Sequence, residues 1–150
     1  MSCEELKKTL EADAYDDCFA SATSANEGGK KFSFVNVNRK TICRVHIDNC
    51  LIKDNAVKKC DYLFNVKEDK LYYLVEFKGV EVTEAIEQII SPYEIINKKI
   101  KEKAHNFKGV IVSSSVPAGT EQRFRKLQEK FFKEKHLKIT KTHIHHFEKI

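Results

Sequence analysis

The chain has 150 residues, 41% hydrophobic and 33% charged, long and apolar enough to close one core and unlike a disordered segment. No apolar run approaches the roughly 20 residues of a membrane-spanning helix, and the N-terminal MSCEELKKTLEADAYDD lacks the apolar centre of a signal peptide, so a cytoplasmic chain without a membrane partner is expected. The net charge of +5 is unevenly spread: residues 1–96 carry 13 Lys+Arg against 17 Asp+Glu, residues 97–150 carry 14 against 5, and the basic third could either attract phosphate backbones or form a solvated exterior.

In chain order, Ser2 with Glu5 three places on is a capping-box pattern that predicts a polar helix reaching about Cys18. SATSANEGGKK (21–31) reads as a loop broken by Gly28-Gly29, and FSFVNV (32–37) alternates as a strand. NRKT is a turn, ICRVHI (42–47) a strand and Asp48-Asn49 a turn, followed by CLI (50–52) and a loop, which together predict an antiparallel meander. A hairpin follows with strands at about 58–66 and 71–78. In EVTEAIEQIISPYEIINKKI the apolar Val82, Ile86, Ile89 and Ile90 recur at helical spacing, with a kink or restart expected at Pro92. GVIVSSS (109–115) suits a buried strand. PAGTEQRFRKLQEKFFKEKH is helical, with Phe124, Leu127 and Phe131 inward and Arg123, Lys126, Lys130 and Lys133 on other faces. KITKTHIHHFE alternates as one last strand. The order α-β-β-β-β-α-β-α-β predicts a single α/β (α+β) domain over residues 1–150, with a central mixed sheet flanked by helices.

Five cysteines, an odd number without a C-x-x-C pair, read as reduced thiols in a cytosol. Cys43, His46, Cys50 and Cys60 match no standard zinc-finger spacing. His143 and His145 would share one strand face, without an accompanying acid or cysteine, and read as decoration of a terminal strand beside nucleic acid.

The hairpin KKCDYLFNVKEDKLYYLVEFKG (58–79) carries the chemistry. With Glu68-Asp69 at its tip, Asn65 falls opposite Tyr72, Leu63 opposite Leu74, Asp61 opposite Glu76 and Lys59 opposite Lys78. The other face, Cys60, Tyr62, Phe64 and Val66 against Leu71, Tyr73, Val75 and Phe77, is wholly apolar or aromatic and should close the core, which supports this register. Facing carboxylates about 5 Å apart repel unless a cation or proton lies between them. Mg²⁺ takes one or two carboxylates and keeps several waters, and Lys78 on the same face could orient a water and neutralise charge developing on a phosphate. The competing reading is a surface ion-pair cluster of Asp61, Glu76, Lys59 and Lys78.

An acid on one strand, Asp61, followed by Glu76-Phe77-Lys78 on the next resembles the signature of the PD-(D/E)XK (restriction-endonuclease-like) nuclease superfamily. CDYLF, LVEFKG and EAIEQI together are similar to small standalone bacterial members. The resemblance implies a restriction-endonuclease-like core and one or two Mg²⁺ or Mn²⁺ ions held by Asp61, Glu76 and the Phe77 carbonyl, with Lys78 as catalytic lysine. Cys60 stands where the name-giving proline would be. Gln88 followed by Tyr93 is similar to the glutamine-tyrosine motif of the RecB-like branch, one residue longer, so Gln88 joins the candidates. A further acid is expected from Glu11, Asp13 or Glu27, with Glu27 favoured; Asp48 reads as a turn residue. The expected function is cleavage of phosphodiester bonds, most simply in DNA, with Arg123, Lys126, Lys130 and Lys133 on the backbone and a homodimer needed to cut two strands at once. The alternative is an inactive relative that binds nucleic acid or protein.

Overall fold

Alternation of apolar and polar residues has built two sheets from one chain. The computed structural model describes residues 2–12, 17–78, 82–114 and 120–150. Among these, α1 (Cys3–Thr9) precedes β1 (Phe19–Ser21), β2 (Ser24–Glu27), β3 (Lys30–Val35), β4 (Ile42–His46), β5 (Tyr62–Val66) and β6 (Leu71–Lys78). Then come α2 (Val82–Ile100), a short 3₁₀ turn (Ala104–Asn106), β7 (Phe107–Ser113), α3 (Thr120–Lys135), β8 (Lys138–His143) and β9 (His145–Lys149). The larger sheet runs β1-β4-β5-β6-β7-β8, antiparallel from β1 to β6 and parallel from β6 to β8. The smaller runs β2-β3-β9.

The central mixed sheet with helices agrees with expectation; the element count does not. The stretch read as a loop is a hairpin: β2 and β3 pair around Gly28 and Gly29, whose φ of 55° and 79° a side chain would resist. The expected last strand is two, since Ile144 at φ 65° turns the chain out of the large sheet and into the small one. His143 and His145 therefore lie in different sheets instead of on one face. CLI forms no strand, only an isolated bridge between Asp48 and Ile52. The first helix has the expected capping box, Ser2 Oγ accepting from the Glu5 N–H at 3.3 Å, but ends at Thr9. Helix α2 runs through Pro92 without restarting.

Both faces of the large sheet are covered, which corrects the expectation that one face alone closes the core. Leu63, Leu74 and Ile111 pack under α1 and α2 against Leu6, Ile86 and Ile89. Phe64, Tyr73, Val75 and Val112 pack under the small sheet against Phe32 and Phe34. Helix α2 sits close on β7: a Cβ at Gly109 would come within 2.9 Å of Ile89 Cγ2 and 3.0 Å of Ile139 Cγ1.

The expectation of five reduced thiols is overturned. Cys3–Cys43 ties the start of α1 to β4, and Cys18–Cys50 ties the segment before β1 to the turn after β4, with Cα separations of 5.2 and 5.8 Å. Closing loops of 40 and 32 residues removes denatured-state entropy worth about 4 kcal/mol each in the chain-entropy account. Among the described residues Cys60 alone is free, and it is buried. A zinc site using Cys43 and Cys50 is thereby excluded, and the cytoplasmic expectation loses the reduced thiols it rested on. Among the described residues no helix is long and apolar enough to cross a membrane.

Candidate functional site

The hairpin has the register read from its alternation: Leu63 pairs with Leu74, Asn65 with Tyr72 and Tyr62 with Val75. The tip is the four-residue turn Lys67–Lys70, closed by the Lys70 N–H donating to the Lys67 carbonyl at 3.2 Å. The ladder stops at Tyr62, short of the expected start at 58, so Asp61 does not face Glu76 as a strand partner and Lys59 does not face Lys78. Asp61 is instead fixed by three main-chain contacts. Its N–H donates to the Val75 carbonyl (3.1 Å), its carbonyl accepts from the Ile47 N–H (2.9 Å), and its Oδ2 accepts from the Phe77 N–H (2.8 Å). Lys59 leans away to Asp48 at 3.7 Å.

The two acids nevertheless meet. Asp61 is 8% and Glu76 4% exposed, and their carboxyl groups share a hydrogen bond. Burial first, then the Asp61 charge and that hydrogen bond, push the Glu76 carboxyl up to about 10, against the opposing pull of Lys78. Glu27, at the end of β2, also hydrogen-bonds Asp61 and is raised by burial, the Asp61 charge and this bond, with Asp48 adding to the repulsion. Asp61 thus stands between Glu76 and the rim acid Glu27. Lys78 is on the Glu76 side, its Nζ 3.4 Å from Glu84 of α2.

Topology places this cluster where open α/β sheets take ligands. Lys78, Ser113 and His143 are register partners across the C-terminal ends of β6, β7 and β8. Helix α2 begins beyond Lys78. One turn after Glu84 stands Gln88, whose Oε1 is buried and has no hydrogen-bond partner among the described residues, so a donor is missing there.

The expected residues are therefore partly assembled. Asp61, Glu76, Lys78 and Glu27 converge, and Gln88 lies one helical turn from the lysine's partner. Phe77 gives its N–H to Asp61 and its ring to the core beneath the small sheet. Tyr93 is not at the site: it is buried edge-on against Phe107 at 5.0 Å. Glu11 pairs with Lys99 at 3.6 Å, and Asp13 lies outside the described residues. Arg123, Lys126, Lys130 and Lys133 are exposed on α3, with Phe124, Leu127 and Phe131 inward as expected. The helix connects parallel β7 and β8 and so runs back from the site's edge; Arg123 is near that edge, and Lys133 is about 15 Å further along the axis.

Glu84 escaped the sequence, and Asp48, read as a turn residue, and Lys59, read opposite Lys78, have other partners than expected. Glu84 holds Lys78, Asp48 sends its charge to Glu27 and Glu76, and Lys59 neutralises Asp48. Pairing of Lys59 with Asp48 is set by the turn at 47–52, for which Asp48-Asn49 was the only local signal. Burial above all, with the acids nearby, pushes the Cys60 thiol well above its ordinary range.

Carboxylate oxygens are hard donors of the kind Mg²⁺ and Mn²⁺ prefer, and burial leaves Asp61 and Glu76 short of positive charge, so the donor set fits such an ion. As they stand, no three His, Cys, Asp or Glu side chains among the described residues form a group that could hold a metal ion, which means an ion here would draw on water or substrate oxygens. No family profile, curated protein or solved structure matches the chain.

Proposed function

We propose that the chain is a divalent-metal-dependent nuclease with a restriction-endonuclease-like core, acting on phosphodiester bonds and most simply on DNA. The observation that carries this reading is the buried, hydrogen-bonded Asp61–Glu76 pair beside Lys78 at the C-terminal edge of the sheet. A sheet core flanked by helices is what the PD-(D/E)XK resemblance implies, and that resemblance rests on Asp61 and Glu76-Phe77-Lys78.

Asp61, Glu76 and the Phe77 carbonyl would hold Mg²⁺ or Mn²⁺, which supplies positive charge that acidifies water and polarises phosphorus. The Phe77 N–H fixes Asp61 Oδ2, and an ion would take the place of the hydrogen bonds that Glu76 and Glu27 make to the Asp61 carboxyl group. Lys78 donates a hydrogen bond that orients the attacking water and offsets charge building on the phosphate oxygens. Glu84 limits where the ammonium can point. Gln88 Oε1, buried without a partner among the described residues, would accept from a water or substrate donor. Arg123 and the α3 lysines give the backbone a positive surface, whose affinity falls with salt.

A second reading, a non-catalytic nucleic-acid-binding or protein-interaction module of the same fold, is favoured by one observation: Lys78 is already paired with Glu84 while the acids bond each other. Linear, single-stranded and branched DNA and RNA, incubated with Mg²⁺ or Mn²⁺, separate the two. Cleavage abolished by Glu76→Ala and strongly reduced by Lys78→Ala supports the nuclease; cleavage that survives both sinks it. Salt-sensitive binding without cleavage supports the module.

A further inference from the structure

The small sheet has an inner and an outer face, and the outer one is unlike the rest of the surface. Ala25, Phe32 and Phe34 point inward to the large sheet; His146 stacks on Phe32 at 5.3 Å, and Glu148 accepts from the Tyr73 hydroxyl at 3.1 Å. Alternation therefore turns Asn26, Lys31, Ser33, His145, Phe147 and Lys149 outward. Register places Lys31 beside His145 and Ser33 beside Phe147. Phe147 is 62% exposed, its ring centroid is 3.7 Å from that of His145, and Ser33 Oγ holds His145 Nε2 at 3.1 Å. The result is an oriented aromatic pair in water between two lysines, with no acid on that face of the strands.

One end of this sheet comes close to the acids. Glu27, which bonds Asp61, pairs with Lys30 at the same end of the sheet. The Ile144 N–H, next to His145, donates to the Ser113 carbonyl at 2.9 Å, and Ser113 is the neighbour of Lys78.

We propose that the outer face of β2-β3-β9 is a platform for an unpaired nucleic-acid strand, whose bases stack on Phe147 and His145 while Lys31 and Lys149 meet its phosphates. Every base has a π-face, so stacking tolerates sequence, whereas a duplex keeps its bases stacked on each other and cannot use the rings. Cation and ring together match a strand's phosphate and base, which a purely apolar partner would not exploit. The inference deepens the nuclease reading by naming the substrate class, an unpaired segment leading to the acids, and rests on that reading for the cleavage alone.

Binding in EDTA isolates the contact from cutting. Labelled oligothymidine and oligouridine of about 12 nucleotides should bind the full chain more tightly than a duplex of equal length. Phe147→Ala should weaken the unpaired strands about tenfold and leave duplex binding and the melting temperature unchanged. The chain contains no Trp, so Phe147→Trp supplies a single reporter whose emission the unpaired strands should quench while binding persists. The proposal is overturned if Phe147→Ala leaves both oligomers' affinity unaltered, if the tryptophan is not quenched, or if sedimentation without nucleic acid shows a Phe147-dependent dimer, which would assign the face to a second copy. Absent cleavage with Phe147-dependent binding intact would instead count against the nuclease and leave the platform standing.

Discussion

The two ends of the β5–β6 hairpin carry the same kinds of side chain and treat them oppositely. At the tip, Glu68 accepts from the Thr41 N–H at 2.7 Å, Lys40 meets Asp69 at 2.6 Å and Lys67 approaches Glu5 at 3.8 Å. Backbone hydrogen bonds, chiefly from Thr41, hold the Glu68 carboxyl below its ordinary range. At the open end Glu76 is buried against Asp61 and lifted to about 10. Water and a donor make a carboxylate comfortable at the tip; burial with a like charge makes it uncomfortable at the open end. The open end is thus the one that gains from binding a cation, and the deficit is local, since both ends belong to the same two strands.

Exchanging the acids tests that contrast most strongly. Glu76→Ala should lower metal-dependent cleavage by about a hundred- to a thousandfold, as loss of a major electrostatic element does, while Glu68→Ala leaves the rate unchanged; equal effects in a gel assay would erase the distinction. Next in size is the disulfide at the open end. Cys50 lies in the turn that carries Asp48, so Cys18→Ser with Cys50→Ser should cost about 4 kcal/mol, or about 10 °C in melting temperature. Amide exchange should quicken around Asp48 and Asp61 and stay unchanged at Lys67–Lys70.

Proton linkage gives a third contrast. Folded, Glu76 keeps its proton up to about 10; unfolded, it loses it near the ordinary value of 4.5. The unfolded chain binds fewer protons in that window, so without divalent ions this group's contribution to stability is full below about 4.5 and is lost as pH rises through about 10. Glu68 has the opposite sign, its contribution present above the ordinary value and lost as pH falls through its lowered folded value. Thermal melts in EDTA should show a decline toward alkaline pH that Glu76→Gln flattens and Mg²⁺ reduces; a slope untouched by Glu76→Gln would refute the linkage. The smallest effect belongs to the tip pair. Asp69→Ala should change stability by at most about 1 kcal/mol, the range of exposed ion pairs, in a urea titration.

The hairpin was the most legible part of the fold because two local constraints agree there. Seven apolar or aromatic residues between Tyr62 and Phe77 share one face and leave one register, and Lys67–Lys70 suits a tight turn. Helices α2 and α3 were legible from Ile86, Ile89 and Phe124, Leu127, Phe131 for the same reason, a period carried by neighbours along the chain. The small sheet was not. Ser24–Glu27 has polar composition and only Ala25 buried, so its strand character depends on pairing with β3, and β9 separates from β8 through a single residue, Ile144.

At the site, sequence alone determined which side chains are available and their order: Asp61 before Glu76 and Lys78, with Gln88 a helix away. It could not decide their company. That Asp61 spends one oxygen on the Phe77 N–H, that Glu84 holds Lys78, that Glu27 arrives from another sheet, and that Cys18 finds Cys50 are consequences of chain segments brought together across tens of residues. Local spacing encodes periodicity and turn chemistry, whereas burial, charge balance and disulfide partners exist only once the two sheets and the helices have packed.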